Sequence, residues 1–243
     1  MANALFLKLF TQSFRAMVCV VGISLGISLS TLPTQLQAHT PAQKPGQGSA
    51  DLLKAIELDD DKSVREALLR GANPNVSTED GVPLISHAMI KGADKSVRFF
   101  LLSKKLDVNV QDLRGDTPLM VASMLNRSEW VAALLSKGAD LNHSGKWTAL
   151  HYAAASGGVK AMNMLIEAGA DLNAFSPNGT TPLMMAAREG KVDAVRLLLS
   201  QGVDPDVVNQ SGYNAAGYAT RAKHKELAME IMRYAKERKS LRQ

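Results

Sequence analysis

The sequence predicts an all-α solenoid of about six helix–turn–helix units, stacked in a row and joined by hairpin-like connections. Three observations carry that prediction. First, "GDTPLMVASMLNRSEWVAALLSKGADLN" (115–142) and "GTTPLMMAAREGKVDAVRLLLSQGVDPD" (179–206) share their landmarks. In both, a leucine pair follows a proline at one fixed offset (Pro118 to Leu134 and Leu135; Pro182 to Leu198 and Leu199). A glycine follows the same proline at a second fixed offset, as Gly138 and Gly202. Second, "KWTALHYAAASGGVKAMNMLIEAGADLN" (146–173) has Ala149 at the proline position and puts Leu165, Ile166 and Gly169 at the same offsets. Third, the apolar residues recur at helical spacing, as Val195, Leu198 and Leu199 do. One such helix pair cannot bury its apolar stripe alone, but stacked neighbours can.

The chain opens on a segment of another kind. Residues 1–38 carry Lys8 and Arg15 and no acid, then an apolar run from Ala16 to Leu29, then a polar stretch ending at the small residue Ala38. That order is expected of a signal peptide cleaved after Ala38. The run from Ala16 to Leu29 is shorter than the roughly 20 apolar positions of a membrane span. An uncleaved anchor in the inner membrane is the alternative. Cys19 lies inside the run and not at its end, which disfavours a lipoprotein anchor. Residues 39–49, "HTPAQKPGQGS", are expected to be a flexible spacer.

The array then runs over 50–240, with units at about 50–78, 79–111, 112–142, 143–175, 176–208 and 209–240, and a tail at 241–243. The first unit lacks a Thr-Pro-Leu opening and is charged, as a terminal cap should be. Its Ser63 and Glu66 have capping-box spacing before the second helix, and "DDD" at 59–61 is expected to be a solvated inter-helix turn. The second unit holds a two-residue insertion, because the stretch from Pro83 to Asn109 is longer by that much than the one from Pro118 to Asn142. In the regular units Thr caps the first helix and Pro occupies a first-turn position where its missing N–H costs nothing. Alanines such as Ala186 and Ala187 let the neighbouring helix approach. A polar or glycine turn follows, as at Gly157-Gly158 and Glu189-Gly190. Gly202 ends the second helix as the residue best suited to a left-handed conformation. The hairpin into the fourth unit is two residues short, as the stretch from Asn142 to Thr148 shows beside that from Asn109 to Thr117. In the sixth unit Asn214 and Ala215 replace Thr and Pro and the outer helix is heavily charged, which marks a C-terminal cap.

The residues Thr117-Pro118-Leu119, Thr148-Ala149-Leu150-His151 and Thr181-Pro182-Leu183, with the endings "GANPN" (71–75), "GADLN" (138–142 and 169–173) and "GVDPD" (202–206), resemble the ankyrin repeat. The resemblance covers about 50–240 and implies a non-enzymatic module that holds a partner protein in a groove lined by inner helices and hairpin tips. Carried over by repeat position, the inner-helix groove residues are Val121, Tyr152, Met185 and Tyr218. Met124, Arg188 and Arg221 lie further along the same face, and the hairpins supply Arg114, Lys146, Trp147, Phe175 and Tyr213. Trp147, Tyr152, Phe175, Tyr213 and Tyr218 form a candidate ladder of aromatic anchors, the residue type that dominates interface energetics. His151, at the end of its Thr-Ala-Leu-His stretch, is expected to hydrogen-bond between adjacent connections.

Composition narrows the function further. Cys19 is the only cysteine, so residues 39–243 offer no disulfide, thiol nucleophile or cysteine metal site. The net charge of +5 is uneven: eight Lys or Arg and three Glu fall from Arg221 onward, and 39–220 is about −2. A nucleic-acid binder needs its basic stripe along the interaction surface, so no nucleic acid is expected. His39, His87, His143 and His224 are dispersed, no His-x-x-x-His pair has a neighbouring Glu, and no nucleophile elbow or phosphate loop is present. The expectation is a monomeric, non-enzymatic periplasmic scaffold with no cofactor, no metal and no stable membrane insertion after cleavage. It would protect or help assemble a periplasmic enzyme. An immunity-type inhibitor of a toxin and a secreted host-directed effector are the alternatives.

Overall fold

The computed structural model describes residues 47–142 and 147–241. The segment expected to be a signal peptide, most of the expected spacer, Lys146 and His143 lie outside the described residues. Among the described residues the elements are helices in pairs: α1 (Gln47–Glu57) with α2 (Asp61–Leu69), α3 (Leu84–Lys91) with α4 (Asp94–Leu102), and α5 (Pro118–Met124) with α6 (Ser128–Ser136). Then come α7 (Ala149–Ser156) with α8 (Val159–Glu167), α9 (Pro182–Arg188) with α10 (Val192–Ser200), and α11 (Ala215–Arg221) with α12 (Lys225–Ser240). α1 begins at Gln47, so the end of the expected spacer is helical. The odd-numbered helices pack on one another in an inner row and their partners form the outer row. No strand forms among the described residues, and the hairpin entering the second unit carries an isolated antiparallel bridge, Ser77 with Pro83.

The inner row is close because its buried faces are small. Ala122, Ala153, Ala154, Ala186, Ala187 and Ala219 are fully buried between helices. The outer row supplies the bulk, with Val131 and Leu134, Met162 and Leu165, and Val195 and Leu198 at matching positions and no exposure. Burying one such side chain stabilises the fold by roughly 1.5–3 kcal/mol. Thr117, Thr181 and Asn214 each cap an inner helix, accepting from Met120 N, Met184 N and Gly217 N. Every helix pair turns at a residue of positive φ: Asp59, Gly92, Asn126, Gly157, Gly190 and Lys223.

Successive units are also tied by asparagine. Asn75 Oδ1 accepts from Asp107 N at 2.7 Å and its Nδ2 donates to Lys105 O at 2.8 Å. Asn109 accepts from Asp140 N and Asn142 from Asp171 N. Among the described residues no such bond is made by Asn173 at the next joint, and at the last joint Asp206 stands at the asparagine position. Lys239 and Arg238 of α12 take over there, pairing with Asp206 at 2.8 Å and Asp204 at 3.2 Å. They reach because Ala235 stands where the earlier units have the helix-ending Gly138, Gly169 and Gly202. Without that glycine, α12 runs on to Ser240, and Tyr234 also donates to Leu199 O at 2.6 Å.

Two local expectations are corrected. The cap of α2 is Asp60, which accepts from Ser63 N and Ser63 Oγ, while Glu66 pairs with Arg70 at 3.0 Å. The helix starts ahead of Ser63, at Asp61, because the acid at position 60 already satisfies the first turn. The insertion in the second unit reduces to one residue, which follows α4, whose C-cap Ser103 is extended. The other apparent extra residue arises because Pro83 is the N-cap of α3 and not a first-turn residue as Pro118 is, so α3 is no longer than α7.

Candidate functional site

The hairpins share one construction. Asp112, Ser176 and Asn209 each accept, through their side chain, from the backbone N–H of Asp116, Thr180 and Tyr213. Their own N–H groups donate back to the carbonyls of the same three residues. A glycine of positive φ (Gly115, Gly179, Gly212) closes each tip. The tips lean on one another as well: a Cβ at Gly81 would stand 2.5 Å from Leu113 Cγ, so the Leu113 side chain lies over Gly81 in the space that a side chain there would take.

Beneath the hairpins lie the inner-helix residues expected to line a groove, and the structure corrects that expectation. Val121, Tyr152, Met185 and Tyr218 are all buried, with exposures of 8%, 7%, 1% and 9%. The position sits in the first turn of the inner helix, so its side chain rises under the hairpin instead of beyond it. The two tyrosines brace hairpin to helix: Tyr152 donates to Asp116 Oδ1 at 2.7 Å, and Asn209 Nδ2 donates to Tyr218 Oη at 2.7 Å. Burial and the adjoining Asp116 push the Tyr152 hydroxyl far up. Burial also raises the Asp116 carboxyl, against the lowering effect of the Tyr152 hydrogen bond. Arg114 closes the network on Asp112 at 2.9 Å and Asp116 at 3.1 Å. Burial works against its charge, but the two carboxylates outweigh that and raise its pKa.

The remaining candidates divide between packing and surface. Trp147 is half-buried, packs on the core and meets His151 edge-on with ring centroids 5.3 Å apart. His151 bridges adjacent connections, as its place in the repeat implied. Its Nδ1 accepts from Thr148 N at 3.1 Å and its Nε2 donates to Thr180 O at 3.0 Å. Burial holds the imidazole at about 4. Tyr213 is half-buried against Tyr218. The Arg221 guanidinium lies over its ring, 5.3 Å from the centroid, and donates to its hydroxyl at 3.2 Å. Arg188 pairs with Glu189 at 2.8 Å, and Met124 packs against the core.

Phe175 is half exposed, and it has company that the aromatic count concealed. Val208 stands one repeat further along, at the matching place in the next hairpin, and is 59% exposed. Leu113, on the third hairpin, is 85% exposed. The period itself was the signal for Val208, since the same hairpin position is apolar twice. On the outer row, where α4 and α6 stand side by side, an open cleft of about 830 Å³ is lined by Asp94, Arg98, Leu102, Arg127 and Trp130. Arg127 lies 4.4 Å over the Trp130 ring and bonds Asp94. Nothing in the repeat pattern pointed to it. Among the described residues, no three His, Cys, Asp or Glu side chains gather where they could hold a metal.

The family model described as ankyrin repeats (3 copies) matches residues 52–144, 88–176 and 173–239. Protein glp-1 of Caenorhabditis elegans is 31% identical over 186 residues, which is 70% of this chain and 14% of that protein. The human transient receptor potential cation channel subfamily A member 1 is 33% identical over 127 residues, 51% of this chain and 11% of the channel. A putative ankyrin repeat protein of Rickettsia bellii is 32% identical over 125 residues, 48% of this chain and 35% of its own length. The chain thus spans about a third or less of the length of these relatives.

Proposed function

This chain belongs to the ankyrin-repeat family, and we propose that it is a protein-interaction scaffold whose partner docks on the hairpin edge of the array. The observation that carries the reading is the apolar series Leu113, Phe175 and Val208, exposed on hairpins whose own polar groups are already bonded. Apolar side chains held on a braced edge have little freedom left to lose, so binding keeps most of its gross energy. Repeat solenoids present extended surfaces of this kind. With the basic and apolar order of residues 1–38, we place the protein in the periplasm and read it as a companion that protects or helps assemble an exported enzyme.

The test is capture from the periplasmic fraction of the native organism, with the whole chain as bait beside the double variant Phe175→Ser, Val208→Ser. These exposed sites leave the fold intact, whereas Trp147→Ala would also strip packing from His151. A protein held by the first bait and weakened at least about 30-fold by the second, the loss of about 2 kcal/mol expected of an anchor, supports the hairpin edge. Equal retention by both baits refutes it. The captured enzyme should keep or gain activity in the complex. Its stoichiometric inhibition would replace the companion reading with an inhibitor.

A further inference from the structure

The array ends on a face unlike any other in it. α12 turns Leu227, Ala228 and Ile231 into the core. At about 100° per residue, one flank of its outward side holds Lys225, Met229, Met232, Arg233 and Lys236, with Lys239 at its edge, while Glu226, Glu230 and Glu237 lie on the other flank. Met229 and Met232 are 59% and 51% exposed. They sit between Lys225 and Lys236 in one line, spaced i, i+4, i+7, i+11. The face is prebuilt, because Arg238, Lys239 and Tyr234 clamp the helix to the preceding unit.

We propose that this face docks the protein on an anionic lipid surface, with α12 lying along the headgroups. Charge complementarity names the occupant: residues from Arg221 onward carry +5 in a chain whose 39–220 stretch is about −2. Two flexible thioethers in line with lysines suit an interface that is apolar just below its charged plane, and the polyglutamate arm of the test separates lipid from an acidic protein. A recess adjoins them, a cleft of about 270 Å³ floored by Pro205, Ala216, Ile231 and Ala235 and rimmed by Asp206, Asn214, Lys236 and Lys239. Among the described residues no helix is long and apolar enough to cross a membrane, so the contact is peripheral. The face borders the base of the last hairpin at Asp206 and Asn214 but uses neither Phe175 nor Val208.

The experiment is co-sedimentation of the whole chain with vesicles of phosphatidylcholine, with and without phosphatidylglycerol. Wild type should sediment with the anionic vesicles and release as salt is raised. Lys225→Ser with Lys236→Ser should weaken binding about 30-fold, at roughly 5-fold or more for each lysine near an anionic surface. Met229→Ser with Met232→Ser should weaken it further. All variants keep the segment up to Ala38 unchanged, so any contribution from it cancels. Far-UV circular dichroism verifies that these exposed changes leave the helices intact. Phe175→Ser, Val208→Ser should bind vesicles as wild type does, which separates this face from the proposed docking edge. Equal binding to neutral and anionic vesicles, or lysine variants that match wild type, overturns the proposal. So does a chain that ignores vesicles yet is retained on polyglutamate through Lys225 and Lys236, which would assign the face to an acidic protein.

Discussion

His151 makes the array sensitive to acid, by an amount that its surroundings set. The ring is fully buried, with Nδ1 committed to Thr148 N and Nε2 donating to Thr180 O. A second proton has to displace the Thr148 bond inside a dry interface. The folded imidazole therefore titrates at about 4, against an ordinary value of 6.5. Between those values the unfolded chain binds the proton and the folded chain does not. The contribution to stability is fully present above pH 6.5 and is lost as pH falls toward 4. At about 1.4 kcal/mol per pH unit, the gap corresponds to about 3.5 kcal/mol at most. His151→Met is the matching perturbation, because Met120 and Met184 occupy the same position in neighbouring units. At pH 7.5 the variant should be less stable by about 1–3 kcal/mol, since the buried Thr180 carbonyl loses its donor. Urea unfolding followed by circular dichroism at pH 7.5, 5.5 and 4 should show the two proteins converging as pH falls. Parallel losses of stability would refute the argument, because the acid sensitivity would then belong to other groups.

Two further outcomes test the joints of the array. Lys223 holds a φ of 68° at a turn where three other units use glycine. Lys223→Gly should raise stability by roughly 0.5–1 kcal/mol in denaturant unfolding. Asn75→Ala removes both of the bonds that this side chain makes to the second unit. It should cost about 1–2 kcal/mol and raise amide exchange first in α1 and α2, and uniform exchange along the chain would show that the joint does not divide the array.

The period was legible because the array is built from neighbours. Each unit meets the same surroundings as the next, so the offsets from proline to leucine pair to glycine repeat in the sequence as they do in space. The same logic reached His151, whose partners come from its own unit and the hairpin following it. It failed at Ser63, where two acceptable caps, Asp60 and Ser63 itself, lie close together and Asp60 satisfies the helix first. Tyr152 and Tyr218 were misplaced for a deeper reason. An aromatic residue on an inner helix reads alike whether it faces solvent or rises beneath a hairpin, and only the bonds to Asp116 and Asn209 distinguish the two.

The sequence by itself determined the helix pairs, the order of the units, the divergent caps and the uneven charge, all of which depend on residues near one another in the chain. The tertiary structure alone decided which side chains remain outside. Exposure at Leu113, Phe175 and Val208, burial at Val121 and Met185, and the outward arc of α12 each depend on how closely one unit settles on the next. That distance is set by the packing of side chains from both units at once, and no single stretch of sequence contains both sides of the contact.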